Sequence, residues 1–224
     1  KEACTALVAS MDEILDGEGL PRASNLALIR PLMATWTRTL AMLRFSGVKQ
    51  PGRSVRRQFA WVVRCAMLFA RSDGSQMLVD GELGEWQADM FRAAMGVSEN
   101  EENRAAAFVS FPFSKKSAAS KIHSYELPPS AIHSEWSSTA VLRPNWSRRG
   151  ARMAIDYEGR RIDMEFEVRG RTIFRGEWGH SVQFDGNNLA PKGDWEEVCW
   201  FSDDDVDYLE LEIPLTGGIR LQRQ

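Results

Sequence analysis

The spacing of apolar side chains changes once along this chain, close to position 135, from the period of a helix to the two-residue period of a strand. In the first half, apolar residues recur three and four positions apart, which is typical of helices that bury one face. Five helices are predicted there. Their expected extents are 3–15, from a Ser24 or Asn25 cap to Gly47, 54–70, 82–95, and a short helix that begins at a Ser98–Glu101 capping box.

A segment without a sustained period follows the helices. Residues 109–134 are rich in Ser, Pro and Lys, and we interpret them as a linker. The chain is therefore expected to divide into a helical region, residues 1–108, this linker, and an antiparallel β region, residues 135–224.

Strict alternation of apolar and polar residues begins after the linker. In RRIDMEFEVRG, residues 160–170, the apolar side chains from Ile162 to Val168 alternate with acidic ones, which predicts an antiparallel strand with one buried face. Gly159 and Gly170 are expected in the hairpin turns at its two ends. Comparable strands are predicted at 137–143, 151–157, 172–178, 180–184, 195–201, 206–213 and 219–223.

The order of these elements predicts an α+β fold. N-terminal α-helical hairpins are followed by an antiparallel β-sandwich-like domain. The closing stretch LELEIPL-TGG-IRLQRQ predicts a hairpin whose second strand continues to the last residue. Because a domain seldom ends inside a paired strand, we expect the β domain to be incomplete and the chain to be a piece of a longer protein.

Composition argues against several classes of protein. The net charge is −3, and residues 135–224 carry 12 basic and 17 acidic side chains, which argues against binding to nucleic acid. The three cysteines are widely spaced and form no CxxC pair, so neither a metal ribbon nor a redox pair is expected. The chain contains no apolar run of about 18 residues, the length of a membrane span. Without a phosphate-binding or dinucleotide-binding motif, no cofactor is predicted.

Four aspartates, Asp203, Asp204, Asp205 and Asp207, stand directly before the alternating stretch that ends at Leu215. Short acidic side chains accept hydrogen bonds from nearby backbone amides, so a solvated turn is the first interpretation. A bound hard cation is a second, although the calcium-loop spacing with its glycine is absent. Contact with a substrate is a third.

His180, in the stretch RGEWGHSVQFDG, is the first candidate for acid/base chemistry, because imidazole titrates near neutral pH. A hydrogen-bonded histidine at a strand end is the structural alternative. Tyr157 is the second candidate, since a Tyr–His pair could remove a proton beside a sugar carboxylate and then protonate the leaving oxygen. Tyr157 could equally be an ordinary core residue. The other two histidines, His123 and His133, fall in the linker and are expected to be exposed.

Binding residues are suggested by the aromatic and charged side chains of the β region, which holds five of the eight tryptophans. Indoles stack on sugar faces, but they also fill sandwich cores. The residues predicted to bind substrate are Trp178, Arg175, Glu177 and Trp200. Arg56, Arg57 and Arg64 in the third helix could bind an anionic sugar or simply form a solvated helix face.

Paired helices with an RSDGS turn, then a linker, then a Trp-rich sheet carrying DWEEVCWFSDDDVDYLELEIPL and GGIRLQRQ, make a chain that resembles heparinase II/III-like proteins. The resemblance implies an α/α toroid joined to a C-terminal β-sandwich. It also implies β-elimination of polysaccharides that contain uronic acid, with a Tyr acid/base, a His, and an Asn or Glu that neutralises the substrate carboxylate. Gly179–His180 is a partial match to the histidine motif of the sandwich, whereas residues 1–108 contain neither Tyr nor His.

The leading hypothesis is therefore a polysaccharide lyase-like protein, active or inactive, that acts on or binds uronic-acid-containing glycans. The resemblance implies an acidic polysaccharide or other glycan as partner and a periplasmic or extracellular location. One alternative is a non-catalytic carbohydrate-binding or structural module. Another is a scaffold that binds protein through its helices.

Overall fold

The computed structural model describes residues 2–47, 51–111 and 126–224. The helices are α1 (Glu2–Ile14), α2 (Ile29–Phe45), α3 (Arg53–Leu68), α4 (Ala88–Ser98) and α5 (Glu101–Ser110). The strands are β1 (Ile132–Ser134), β2 (Thr139–Leu142), β3 (Arg152–Asp156), β4 (Asp163–Val168), β5 (Arg171–Glu177), β6 (Val182–Phe184), β7 (Asn187–Leu189), β8 (Glu196–Ser202), β9 (Asp207–Pro214) and β10 (Arg220–Arg223). Short 3₁₀ turns lie at Ala23–Leu28, Glu82–Gly84 and Thr216–Gly218. The predicted α+β fold is confirmed.

Helix α3 lies at the centre of the helical layer. Its predicted inward side chains, Phe59, Val62, Val63, Ala66 and Met67, are all completely buried. They pack in one core cluster with side chains of α1, α2, α4 and α5. None of the helices among the described residues is long and apolar enough to cross a membrane.

The predicted bounds of the last two helices were wrong. Helix α4 begins six residues later than expected and continues through Gly96 to Ser98, where Glu99 adopts the left-handed conformation with φ 53°. The delay has a local cause, because the carbonyls of Gly84 and Glu85 accept hydrogen bonds from Arg30, at 2.7 Å each. Since Arg30 is 2% exposed, it fixes this segment as a loop. The cap of α5 is Asn100 rather than Ser98.

Two antiparallel sheets form the second half. The larger has the order β1-β2-β3-β4-β5, and the smaller has the order β10-β9-β8. One face of the larger sheet packs on the helices, through residues such as Val141 and Ala154. The other face packs on the smaller sheet, where Ile155, Ile162 and Leu211 belong to a second core cluster. The chain therefore has three layers, with the larger sheet in the middle.

Strand β4 has the predicted alternation but not the predicted environment. Its acidic side chains Glu165 and Glu167 were expected to face water, as in a half-buried strand. They face the helical layer instead and are 0% and 3% exposed. Both faces of β4 are therefore covered, and the buried carboxylates need partners inside the protein. Glu167 lies 3.5 Å from the buried Arg152 of the neighbouring strand β3.

The segment predicted as a linker contains ordered elements at its ends. Helix α5 continues to Ser110, and β1 begins at Ile132 and pairs with β2. The Ser134 hydroxyl of β1 donates to Asp16 at 2.7 Å, which ties this edge of the sheet to the helical layer. His123 lies outside the described residues.

Candidate functional site

The six predicted site residues lie in three separate places. Arg175 and Glu177, in the edge strand β5, do not meet. The Arg175 guanidinium forms ion pairs with Glu165 at 3.3 Å and with Asp80 at 2.8 Å. Glu177 pairs with Arg161 at 3.3 Å, and both side chains are exposed.

Arg175 belongs to a network of charges between the helices and the larger sheet. The buried carboxylate of Glu165 also accepts from the Arg71 guanidinium and from the Leu78 amide, at 2.8 and 2.9 Å. Glu167 accepts from the Ser72 amide at 2.9 Å. The RSDGS turn that follows α3 is thus bound to β4 by charge-assisted hydrogen bonds. These contacts hold the two layers together.

Tyr157 pairs with His133 rather than with His180. Its hydroxyl lies 2.7 Å from His133 Nε2, and the His133 ring stacks on Trp200 with centroids 5.3 Å apart. Tyr157 is only 2% exposed. Burial raises the pKa of Tyr157, with Glu197 adding to the effect, and burial lowers the pKa of His133. Both rings are therefore neutral at neutral pH.

His133 was expected to be exposed in the linker, and that expectation was wrong. It is half-buried in β1, beside a tyrosine 24 positions further along the chain. No local pattern indicated this contact, because it depends on the pairing of β1 with β2 and of β2 with β3.

The third group, which we call the Trp–Arg cluster, consists of Trp178, His180, Trp195 and Arg223. The Arg223 guanidinium lies over the Trp178 ring, 4.0 Å from its centroid, and donates to the Gly179 carbonyl at 2.9 Å. His180 meets Trp195 edge-on at 5.6 Å. Trp178 and Arg223 also line an apolar cavity of about 170 Å³ between the two sheets.

Two polar atoms of the Trp–Arg cluster are buried without a hydrogen-bond partner among the described residues. They are the indole nitrogen of Trp195 and Nε of Arg223. Buried donors are nearly always satisfied in folded proteins, so water bound inside the protein is the expected partner of these two atoms. The cluster therefore offers donors, a cation and aromatic surface in one place.

The surroundings of His180 in this cluster favour the neutral form of its imidazole. Burial lowers its pKa and the positive charge of Arg223 lowers it further, against the opposing effect of Glu177. The imidazole is consequently neutral at neutral pH and can accept a proton. The structural alternative was a hydrogen-bonded histidine at a strand end, and no described residue forms a hydrogen bond with the His180 ring.

Arg223 was not among the predicted site residues, although the sequence contains one signal for it. In IRLQRQ the two-residue period places Arg223 on the same side of its strand as Leu221 and Ile219. Those two apolar residues pack against the core between the sheets. An arginine on the apolar side of a strand is a candidate for a partly buried charge.

The aspartates before β9 form a turn. Asp203 accepts from the amides of Asp205 and Val206, at 2.9 Å each. Asp207 accepts from the Arg143 amide at 2.8 Å. Within residues 2–47, 51–111 and 126–224, no group of three or more His, Cys, Asp and Glu side chains is arranged to hold a metal ion. The turn interpretation accounts for these contacts.

No protein-family model and no curated protein matches this chain. Among solved structures, it is similar to heparinase III with methylated lysines, at a TM-score of 0.70 and 10% identity over 98% of this chain. A second structure of heparinase III matches over the same share, at a TM-score of 0.64 and 10% identity. The chain spans 38% of the length of each of these proteins.

At this low identity the likeness concerns the fold. Both the helical layer and the sheets fall within the matched 98% of the chain, so the chain has a distant heparinase III-like fold. It corresponds to part of such a protein.

Proposed function

We propose that this chain is part of a polysaccharide lyase-like protein and that it binds a uronic-acid-containing glycan at the Trp–Arg cluster. The observation that carries the proposal is the heparinase III-like fold, which extends over 98% of the chain. The cluster adds local support, because it combines a cation with a neutral base and two indoles.

Each member of the cluster has a distinct role in this proposal. Arg223 binds the uronate carboxylate, since a guanidinium fork matches the two carboxylate oxygens. Trp178 has one ring face under Arg223 and holds the guanidinium in position. Trp195 meets His180 edge-on and holds the imidazole in position.

In a catalytic version of the site, His180 removes the proton on the carbon next to the carboxylate. The electron pair of that C–H bond forms a C=C bond, the neighbouring C–O bond breaks, and the leaving oxygen takes a proton from the imidazolium. Arg223 supports this step by neutralising charge that develops on the carboxylate. The proton removed is the proton returned, so no co-reactant is needed.

A second candidate function is glycan binding without cleavage, and the state of Tyr157 favours it. That tyrosine is buried, is hydrogen-bonded to His133, and has a raised pKa. It is poorly placed to assist His180 as a second proton-transfer group. Without a second proton-transfer group, cleavage would depend on the imidazole of His180 alone.

The test is to mix the protein with uronic-acid polysaccharides and record both tryptophan fluorescence and the absorbance of unsaturated uronate. We expect R223Q to weaken binding about ten-fold, which corresponds to about 1.4 kcal/mol. R220Q is the matched control, because Arg220 lies in the same strand with its side chain 70% exposed and pairs with Glu212. H180A should abolish any absorbance change and leave binding within about two-fold.

The outcomes separate the two candidates. Binding that needs Arg223, without absorbance change, supports the binding module. Absorbance change that survives H180A removes His180 from the mechanism. Equal binding by R223Q and R220Q contradicts the proposal at this cluster.

A further inference from the structure

A second charged surface lies away from the Trp–Arg cluster, at one end of the larger sheet. It consists of four arginines, which we call the arginine rim: Arg148 and Arg149 in the β2–β3 loop, and Arg169 and Arg171 at the β4–β5 turn. All four residues are exposed. None forms an ion pair with an acidic side chain in the part of the chain that the structure describes.

Ser72 of the RSDGS turn brings the two loops of the rim together. Its carbonyl accepts from Arg148 Nε at 3.0 Å, and its amide donates to Glu167 in β4. A Cβ atom built on Gly170 would lie 3.0 Å from the Ser72 hydroxyl, so the hairpin tip rests on this serine. The rim is therefore held on the junction of the helical layer and the sheet.

Charged side chains are distributed unevenly between the two ends of the larger sheet. Asp73 is the exposed acidic residue next to Ser72, and its carboxylate already accepts from the amide and the hydroxyl of Ser75. The opposite end of the same sheet carries the carboxylates of Asp156, Glu158, Asp163 and Glu177 together with Arg160 and Arg161, and Arg161 pairs with Asp163 and Glu177. Acidic side chains are thus in excess at that end, whereas the rim arginines lack acidic partners among the described residues.

The backbone at Arg169 is a further sign that this surface has a use. Arg169 and Gly170 both have positive φ, 52° and 77°, and connect the paired residues Val168 and Arg171. This is the geometry of a two-residue hairpin turn in which Asn, Asp or Gly is strongly preferred at the first position. An arginine there costs conformational energy, and such strain is characteristic of functional positions.

We propose that the arginine rim binds the carboxylate and sulfate groups of an acidic polysaccharide. The inference rests on the proposed function and adds to it a second contact region, distinct from the Trp–Arg cluster. Guanidinium groups bind both kinds of anion through paired hydrogen bonds. Four exposed arginines without acidic partners complement a linear polyanion better than a single small anion.

The experiment compares two triple variants with equal loss of charge. R149Q/R169N/R171Q removes three rim charges and keeps Arg148, whose hydrogen bond to Ser72 is structural. R38Q/R53Q/R160Q removes three exposed arginines on α2, at the start of α3, and at the β3–β4 turn, none of which is part of either proposed site. Affinities for immobilised heparin are measured at several salt concentrations.

We expect the rim variant to lose at least about ten-fold in affinity at moderate salt. The slope of log affinity against log salt should also become shallower by about one to two, since fewer counterions are released on binding. The control variant should stay within about two-fold of the parent protein. Equal losses in the two variants would mean that total charge, rather than the rim, governs binding, and would overturn the proposal.

Three further arms define the ligand. A sulfated glycan without uronate and an unsulfated polyuronate separate sulfate from carboxylate as the bound group. Single-stranded DNA that binds as tightly as heparin, with the same loss in the rim variant, would overturn the assignment to a glycan. If the rim variant loses affinity and R223Q does not, the result supports the rim as a binding surface and contradicts the proposed site at the Trp–Arg cluster.

Folding of the rim variant is checked by thermal unfolding. Because Asn suits the left-handed conformation better than Arg, R169N alone should unfold at the same temperature as the parent or higher. A loss of heparin affinity by a single variant that is at least as stable as the parent cannot be attributed to misfolding. Unchanged heparin affinity in R169N and in the triple variant would remove the rim as a binding surface.

Discussion

Arg175 and Arg223 lie on edge strands of the two sheets, and their surroundings differ in one decisive respect. Arg175 makes ion pairs with the buried Glu165 and the exposed Asp80. Arg223 stacks on Trp178 and keeps a buried Nε without a partner among the described residues. The first arginine has its acidic partners within the fold, whereas the second has a buried donor to spare.

The partners of an arginine, rather than its place near a binding region, indicate whether it stabilises the fold or can bind a ligand. An arginine whose charge is matched by buried carboxylates serves the packing of two layers, because losing either partner would leave a charge in a low-dielectric interior. An arginine that rests on an indole and lacks a carboxylate partner can accept one from a ligand. Residue type and position along the strand do not distinguish the two cases, but the partners do.

The largest expected effect comes from removing the charge of Glu165, whose carboxylate is paired inside the fold. E165Q keeps the shape of the side chain but removes the charge that faces Arg71 and Arg175. We expect the free energy of unfolding to fall by about 3–5 kcal/mol, the usual cost of removing one partner of a buried pair. Urea unfolding followed by circular dichroism measures this loss.

The matched control is D80N, which removes the exposed partner of Arg175, a carboxylate with 88% of its side chain exposed. Its cost should stay below about 1 kcal/mol, as for other surface ion pairs. If E165Q and D80N cost the same, the network at β4 does not hold the layers together as we infer.

The sequence allowed the alternation in β4 to be predicted, but not its environment. Alternating side chains indicate a strand and its two faces, yet they do not say what covers the polar face. The partner of Glu165, Arg71, lies 94 positions earlier in the chain. No local sequence pattern indicates a contact between residues so far apart. Periodicity alone therefore predicted a strand with one face in water.

The candidate site shows the same limit. His180 and Trp178 were proposed as site residues from their neighbours in RGEWGHSV, and in the structure both lie near Arg223. Arg223, which completes that cluster, is contributed by β10, the last strand of the smaller sheet. Pairing between distant strands decides such contacts, and the pattern of a single sequence does not contain it.

The second prediction compares the removal of Arg175 with the removal of Arg223. R175Q leaves Glu165 with Arg71 as its remaining guanidinium partner, so we expect a loss of about 1–3 kcal/mol in the free energy of unfolding. Its affinity for a uronic-acid polysaccharide should stay within about two-fold. R223Q should show the reverse, with affinity about ten-fold weaker.

Urea unfolding and fluorescence titration are done on both proteins. A result in which R175Q loses affinity as strongly as R223Q would return Arg175 to the binding site that the sequence suggested. It would also remove the distinction between matched and unmatched arginines.

The third prediction concerns pH and separates the two histidines. Burial lowers the pKa of both His133 and His180, so near pH 6 the unfolded chain binds more protons than the folded one. The stability contributed by the neutral rings is complete above the unfolded pKa of about 6.5. It is lost as the pH falls through the lower folded values.

His133 is the histidine that is hydrogen-bonded to a buried tyrosine, so H133N should flatten the dependence of stability on pH between about 7 and 5 more than H180N does. Thermal unfolding across that range measures both curves. A steeper curve for H133N than for the parent protein would show that His133 is stabilised in its charged form, which contradicts the assigned neutral pair.

The smallest expected effect tests the unpartnered indole directly. Trp195 and Trp146 are both buried, at 4% and 1% exposure, but only Trp146 donates to a carbonyl, that of Pro128 at 2.7 Å. W195F and W146F remove similar volumes, so the difference between them isolates the hydrogen bond. We expect W146F to cost about 1 kcal/mol more in urea unfolding, the net value of one buried hydrogen bond. If the two variants cost the same, the Trp195 N–H is already hydrogen-bonded to water, and the cluster has no unsatisfied donor at this position.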